Sequence, residues 1–294
     1  MAIQSLDQLI SAQSAGQTAR YDWNKITGAA AYTAGRWYET MSLGGLPVAT
    51  TYPGTALTWK TCDEATGDGT NIFGMPNGGN VSTSIKHALN AAAMSTAATG
   101  VPGTLLLCDI QGYYPGIDMN VNTAQTLLGS PSLRYANGAG VRMFLAARAT
   151  TGATAHNIAV SYTNQSATAG RTMPVTVAAT ASAIVPHIVH SGVAANNYGP
   201  FLPMASGDTG IQSVQTVTLS AASGTASTAV LVLARPLAQI TISVAGLMTE
   251  KDFLNQIPSM PRIFDGACLG FLYSAGAATA ANTTFSGNLE YVWG

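Results

Sequence analysis

The pattern of apolar and polar positions changes about a third of the way along the chain. From residue 104 onward, short segments either alternate apolar with polar residues or form continuous apolar runs, and both patterns are typical of β strands. Turn-forming residues separate these segments, so the pattern predicts a mainly β, antiparallel sandwich or jelly-roll-like fold. The predicted strands are 104–110, 141–146, 157–162, 173–177, 212–219, 228–233, 239–244, 268–273 and 284–293.

Three short segments instead carry helix signals. Residues 3–15 repeat apolar side chains at helical spacing, with Ser5 as the N-cap and Gln8 as its capping-box partner. Residues 82–97 form an alanine-rich helical pattern that follows a serine cap and ends before a Gly and a Pro. Residues 249–256 begin with Thr and acidic residues, as short capped helices do.

The first hundred residues differ in composition from the rest. They are rich in glycine and aromatic residues and contain three of the four tryptophans, with short strands expected at 34–41 and 56–61. We therefore expect residues 1–100 to be an extension of the main domain and residues 101–294 to form the β sandwich. A chain of 294 residues buries enough surface to need no disulfide or metal staple.

Charge is scarce, and this changes the functional picture. Charged residues make up 9% of the chain, against roughly 25% in an ordinary domain. Few charges mean little repulsion between copies and a small desolvation cost on association, so the composition favours assembly into a homo-oligomer, such as a trimer. The net charge is -1 and no basic run occurs, so we expect no direct nucleic-acid binding.

The cysteines and the apolar segments indicate the compartment. Cys62, Cys108 and Cys268 are far apart and outside any CxxC motif, so buried thiols in a reducing compartment are expected rather than a zinc site. The N-terminus lacks the basic and apolar regions of a signal peptide. The most apolar stretch, 228–248, is interrupted by polar residues, so we expect no membrane association.

Motifs that carry chemistry are few. His187 and His190 are three apart in a strand-like stretch, where side chains three apart face opposite sides and share a metal poorly. Asp63 and Asp68 lie in a Gly-rich turn that lacks the ligand spacing of an EF-hand, so a surface turn is favoured and a non-standard ion site stays open. We expect no metal site and no cofactor.

The remaining candidates are a carboxylate pair and a set of arginines. Asp109 and Asp118 flank an aromatic loop, 112–116, and paired carboxylates are what glycoside hydrolysis needs. Packing or an interface is the favoured interpretation of that loop, so we expect no catalytic residue and no enzyme. Six arginines with apolar neighbours are expected to pair with acids or to bond between subunits: Arg134, Arg142, Arg148, Arg171, Arg235 and Arg262.

A resemblance to known proteins is carried by residues 112–120, 137–142, 155–158 with 161–165, 198–203 with 206–210, and 258–262. Together these stretches resemble a group of structural proteins in tailed-bacteriophage virions. The resemblance spans nearly the whole chain, and the group supplies no catalytic motif. It implies a virion protein assembled in the host cytoplasm, with the major capsid protein or other virion proteins as partners.

Three roles within a virion remain open. A capsid decoration or cement protein suits a β-rich, charge-poor chain best, because it stabilises the shell by burying neutral surface. The major capsid protein is the second reading, although the long helix and charged N-terminal arm of the usual shell fold are not evident. A tail or head-fibre protein that binds the host, with saccharide as one ligand class, is the third, although fibrous repeats are not evident.

Overall fold

The computed structural model describes residues 3–63, 74–81, 83–192, 199–255 and 260–294. Within these ranges the chain is mainly β, with three antiparallel sheets and one α helix. The predicted β-sandwich class is therefore confirmed, and three sheets take the place of two.

The central sheet contains the two longest strands of the molecule. Its order is β2-β16-β6-β13-β8, with β4 also pairing with β6. Its strands are β2 (Trp37–Glu39), β4 (Lys60–Thr61), β6 (Gly103–Asp118), β8 (Arg142–Ala147), β13 (Thr228–Ile242) and β16 (Cys268–Ala275).

The front sheet joins the two ends of the chain. Its order is β14-β5-β17-β1-β3, with β15 also pairing with β5. Its strands are β1 (Thr18–Ile26), β3 (Gly44–Leu46), β5 (Lys86–Ser95), β14 (Thr249–Asp252), β15 (Arg262–Ile263) and β17 (Thr284–Trp293).

The rear sheet is the smallest. Its order is β10-β9-β12-β7, with β11 also pairing with β9. Its strands are β7 (Gln125–Thr126), β9 (Asn157–Asn164), β10 (Arg171–Thr172), β11 (Val177–Ala178) and β12 (Ile211–Leu219).

Both the front and the rear sheet pack against the central sheet. One core cluster joins β6 and β13 residues such as Tyr114 and Leu231 to Val160 of the rear sheet. A second cluster joins Leu107 of β6 to Leu289 of the front sheet. The long strands can serve both clusters because the β6–β13 ladder contains register shifts, one of them at Pro236–Ala238, which change the face that each side chain occupies.

The predicted N-terminal helix is confirmed. It begins at Leu6 and ends at Ser14, and the Ser5 hydroxyl accepts a hydrogen bond from the Gln8 amide. The Gln8 side chain accepts from the Gln4 amide at 2.6 Å, one position earlier than a standard capping box requires. Leu9 of this helix, α1, is buried near the end of β17.

The predicted helix at 82–97 is wrong, because residues 86–95 form strand β5. Ala91, Ala92 and Ala93 are fully buried between β14 and β17. Helix propensity favours alanine by only a fraction of a kcal/mol per residue. Pairing along both edges, with small side chains fitting between two layers, outweighs that preference here.

Two further predictions also need correction. The helix expected at 249–256 is strand β14 followed by a turn, in which the Asp252 carboxylate accepts from the Leu254 amide at 2.8 Å; residue 256 lies outside the described ranges. The aromatic loop expected at 112–116 lies inside β6. The strands expected at 228–233 and 239–244 are one strand, β13, which is continuous through Arg235 and Pro236.

Strand pairing connects residues of the two predicted parts of the chain, 1–100 and 101–294. Strand β1 pairs with β17 over nine residues, and β4 pairs with β6. The division into 1–100 and 101–294 stays a prediction.

We expect Gly287→Ala to destabilise the fold, because a Cβ at this position would lie 1.9 Å from the carbonyl oxygen of Ala92. Overpacking against the backbone of the β5–β17 ladder is expected to lower the free energy of unfolding by about 1–3 kcal/mol. Urea unfolding measures the change. Gly28→Ala is the control, since a Cβ there meets nothing within 4 Å, and equal stabilities for the two variants would contradict the packing argument.

Candidate interaction surface

The front sheet has one face against the central sheet and one face that is not covered by it. Along β1, the buried residues Trp23 and Lys25 alternate with Asp22, Asn24 and Ile26. Successive strand residues point to opposite faces, so these three side chains lie on the uncovered side. We call this side the outer face.

Apolar residues lie at one edge of the outer face. Ile26 pairs with Gly44, and Asn24 pairs with Leu46, so Ile26 and Leu46 are diagonal neighbours on the same side of the sheet. Leu46 is 52% exposed and the nearby Val48 is 65% exposed. This edge therefore presents apolar side chains to solvent.

The loop from β13 to β14 presents apolar residues at the other edge. The amide of Gly246 donates to the Ser95 carbonyl at 2.8 Å, which holds the loop beside the end of β5. Leu247 is 60% exposed, and Val244 and Met248 are also exposed. We define the apolar rim as the residues Ile26, Leu46, Val48, Val244, Leu247 and Met248.

The rim concentrates exposed apolar surface. It holds six of the twelve exposed large apolar side chains of the described residues. Between its two edges, the outer face carries uncharged residues such as Asn24, Ser286 and Thr284. Exposed apolar side chains gathered at one end of a sheet make a candidate interaction site. Sequence reasoning missed the rim, because only the strand register brings residues 26, 46 and 247 to one end of one sheet.

Charged residues lie further along the outer face. Arg20 forms ion pairs with Asp22 at 3.1 Å and with Glu290 at 3.3 Å. These exposed pairs separate the rim from α1, which covers Val292 at the far end of the sheet. The outer face is thus apolar at one end and charged in the middle.

Part of the limited charge lies inside the protein. Glu39 is fully buried and lies 3.5 Å from the Arg148 guanidinium, while the Ser42 hydroxyl and amide donate to the same carboxylate. Burial raises the pKa of Glu39, and the nearby Arg148 opposes that shift. The charges that the fold does contain are therefore partly used for internal pairing.

A second internal pair involves Asp109 and Arg134. The Arg134 guanidinium donates from Nε to Asp109 Oδ2 at 3.2 Å and from a second nitrogen to Oδ1. It also donates to the Cys62 carbonyl at 2.6 Å. The Asp109 carboxylate is 1% exposed, so the guanidinium compensates a charge that water does not reach.

Arg171 follows the same pattern, whereas Arg235 does not. Arg171 donates to Asp208 at 3.0 Å, and Tyr162 donates to the same carboxylate at 2.6 Å. Arg235 lies over the ring of Tyr135, 4.3 Å from its centroid. Acid pairing, one of the two expected roles, is thus found for Arg134, Arg148 and Arg171.

The two carboxylates considered for catalysis are not brought together. Asp109 and Asp118 lie nine residues apart on strand β6, which places them about 30 Å apart along an extended strand. Glycosidase carboxylates lie roughly 5–10 Å apart. Asp118 instead accepts a hydrogen bond from the Asn120 amide at 2.8 Å.

The two histidines considered as ligands are fully buried. His187 Nε2 lies 3.2 Å from the Ser191 hydroxyl, and the Nε2 of His190 donates to the Pro200 carbonyl at 3.2 Å. Burial lowers the pKa of each to about 3, and Arg36 contributes for His187. Within the described residues, no group of three or more His, Cys, Asp or Glu side chains could hold a metal ion.

The cysteines and the acidic turn complete the survey of candidate residues. Cys62, Cys108 and Cys268 are all free and buried. Asp63 is described and lies against Gly266, whereas Asp68 lies outside the described residues. Among the helices that the structure describes, none is long and apolar enough to cross a membrane.

Comparison with known proteins gives little. No family model and no curated protein matches the chain. The VP2 subviral particle of infectious bursal disease virus is 9% identical, with a TM-score of 0.18 over 94% of this chain and 80% of that chain. A point mutant of the same VP2, in T=1 particles, is 10% identical, with a TM-score of 0.17 over 94% and 78%. Scores this low do not establish a common fold.

We expect Arg134→Met to cost about 3–5 kcal/mol of unfolding free energy, because it leaves the Asp109 charge buried and uncompensated. Chemical denaturation of the purified variant tests this. Arg20→Met, which removes an exposed pair, is the control and should cost less than about 1 kcal/mol. A loss for Arg134→Met as small as that of the control would show that the internal pair is not needed.

We expect the protein to lose stability as the pH falls from 7 towards 5. In the folded protein His187 and His190 have a pKa of about 3, against an ordinary value of 6.5, so the unfolded chain binds more protons between these values. Each histidine then contributes a loss of about 1.4 kcal/mol per pH unit below its ordinary pKa.

Comparison with His190→Gln isolates this contribution from that of the carboxylates. The unfolding free energy of the variant should depend less steeply on pH than that of the parent. The slope should be smaller by the contribution of one histidine, about 1.4 kcal/mol per pH unit. Identical pH dependence in the variant and the parent would contradict the assignment.

Proposed function

We propose that this chain is a non-enzymatic structural protein of a tailed-bacteriophage virion, with capsid decoration or cement as its role. The observation that carries the proposal is the apolar rim at one end of the front sheet, in a chain that is 9% charged. The resemblance of the sequence to phage virion proteins supplies the setting.

The rim suits association with a shell for a physical reason. Burying exposed apolar side chains releases roughly 25 cal/mol per Å² of apolar area. Uncharged neighbours such as Asn24 and Ser286 add little desolvation cost to this gain. A modest contact of this kind, repeated over many copies on one particle, accumulates into strong retention through avidity.

One feature favours a host-binding role as the second candidate. A cleft of about 510 Å³ lies between residues 51–55 and 115–118, and Tyr52, Asp118 and Arg148 are among its lining residues. A ring, a carboxylate and a guanidinium together suit a saccharide, which offers both hydroxyl groups and an apolar face. Binding of this kind would belong to a tail or head-fibre protein.

The copy number and location of the chain in purified particles test the proposal. Quantitative mass spectrometry should find hundreds of copies per particle, in addition to a separate and equally abundant shell protein. Hundreds of copies in a particle without another shell protein would instead make it the major capsid protein. A few dozen copies or fewer at the tail or a vertex would support the host-binding alternative.

We expect Leu247→Lys to weaken binding to particles that lack the chain by more than about tenfold, because a buried apolar contact becomes a charge that must be desolvated. Fold stability should change by no more than about 0.5 kcal/mol, since the side chain is exposed. Co-sedimentation of purified protein with the particles measures the binding.

Leu128→Lys provides the matched control, because Leu128 is 56% exposed and lies outside the rim. It should bind as the parent does. Equal binding by Leu247→Lys and the parent would remove the rim from the interface.

A further inference from the structure

Three polar side chains lie close together at the start of strand β5. They belong to a buried lysine, an asparagine and an aspartate. Lys86 is the first residue of β5, and its side chain is fully buried. Its Nζ donates to Asn77 Oδ1 at 2.8 Å and lies 3.4 Å from Asp265 Oδ1. Asn77 is likewise fully buried. From this geometry we propose that Lys86 and Asn77 form a covalent amide bond between their side chains.

The amine is close to the carbon that it must attack. A carbonyl bond is about 1.2 Å long, so an amine 2.8 Å from Oδ1 lies within about 4 Å of Asn77 Cγ. Holding two reacting groups at this separation replaces a bimolecular encounter with an intramolecular one. Burial also excludes the water that would otherwise compete as the nucleophile.

The aspartate provides the proton transfer that the reaction needs. An ammonium group is not a nucleophile, so Lys86 must first give a proton to the Asp265 carboxylate. The neutral amine then attacks Cγ, and a new C–N bond forms. The protonated Asp265 carboxyl passes its proton to Nδ2 of Asn77, the bond between Cγ and Nδ2 breaks, and ammonia leaves. The attacking nitrogen gives its surplus proton to the Asp265 carboxylate, which hands it to the departing ammonia, so that an ammonium ion is released.

The departing nitrogen is already held by acceptors. Nδ2 of Asn77 donates to the backbone carbonyls of Asp265 at 3.0 Å, Ala267 at 3.1 Å and Phe264 at 3.4 Å. Carbonyl oxygens stabilise the positive charge that develops as the nitrogen takes up a proton. The side chain of Asp265 is 34% exposed, so the ammonia has a route to solvent beside it.

The balance of the reaction requires nothing from outside the protein. The Lys86 ammonium and the Asn77 amide give a secondary amide and one ammonium ion, and no group is oxidised or reduced. Asp265 ends in the state in which it began. The new bond would close a ring between residues 77 and 86 and fix the segment 74–81 to the start of β5.

A second buried lysine offers an internal control. Lys25 is also buried and donates to the backbone carbonyls of Leu43 and Pro47, at 3.1 and 2.6 Å. A backbone carbonyl has no nitrogen that can leave without cutting the chain. We therefore expect Lys25 to stay unmodified, so that burial of a lysine alone is distinguished from the arrangement around Lys86.

The intact mass of the purified full-length chain, measured under denaturing conditions, tests the proposal. We expect a mass lower than the sequence mass by one ammonia molecule. Peptide mapping should show no tryptic cleavage after Lys86 and therefore a single peptide, residues 61–134, that is cyclised between residues 77 and 86. Protein that keeps the full sequence mass after prolonged incubation in the folded state would overturn the proposal.

Cyclisation of the Asn77-Gly78 backbone to a succinimide also releases ammonia, so variants must separate the two reactions. Lys86→Met removes the nucleophile and should restore the full mass, whereas a succinimide would persist in it and would overturn the proposal. Asp265→Asn keeps Lys86 and Asn77 but lacks the proton acceptor, and should also retain the full mass. Lys60→Met, at an exposed lysine, should still lose ammonia.

Discussion

The pairing of β6 with β13 is the interaction on which the rest of the structure depends. These strands have 16 and 15 residues, and each supplies core residues to both the front and the rear sheet. In a strand with an unbroken register, alternate side chains point to the same face of the sheet along its whole length. The register between β6 and β13 shifts along the pair, so the face that a given side chain occupies changes. The shifts let the same pair of strands present apolar residues correctly to two different partners. The packing of the front sheet and the packing of the rear sheet therefore both depend on the β6–β13 pair. A substitution at one of its register shifts is expected to affect both core clusters.

Charged side chains are few, and several of them lie inside the protein. The chain has few ionisable side chains, and Glu39, Asp109 and Lys86 are buried with partners. Pairing them inside leaves a surface dominated by small neutral side chains, interrupted by a rim of exposed apolar residues. Such a surface costs little to desolvate, which is the physical reason for proposing association as the function.

The sequence alone predicted the class of fold and the terminal helix, because alternation and an N-cap are local signals. It failed at 82–97 because an alanine-rich segment carries no sign of the strands that will flank it. The two strands predicted at 228–233 and 239–244 are a single strand, β13, for a related reason. A register shift next to Pro236 accommodates the proline within the strand. Site prediction had the same limit. Asp109 was considered only together with Asp118, because its pairing with Arg134 and the meeting of Lys86 with Asn77 and Asp265 depend on contacts between distant segments or across a turn.

The most direct test of the central claim is the structure of the assembled particle, determined by cryo-electron microscopy at a resolution that places side chains. The account predicts that the outer face of the front sheet is covered by a neighbouring chain, with Leu46 and Leu247 buried in that contact. A particle in which the apolar rim faces solvent while other surfaces hold the chain in place would contradict it, as would particles from which the chain is absent.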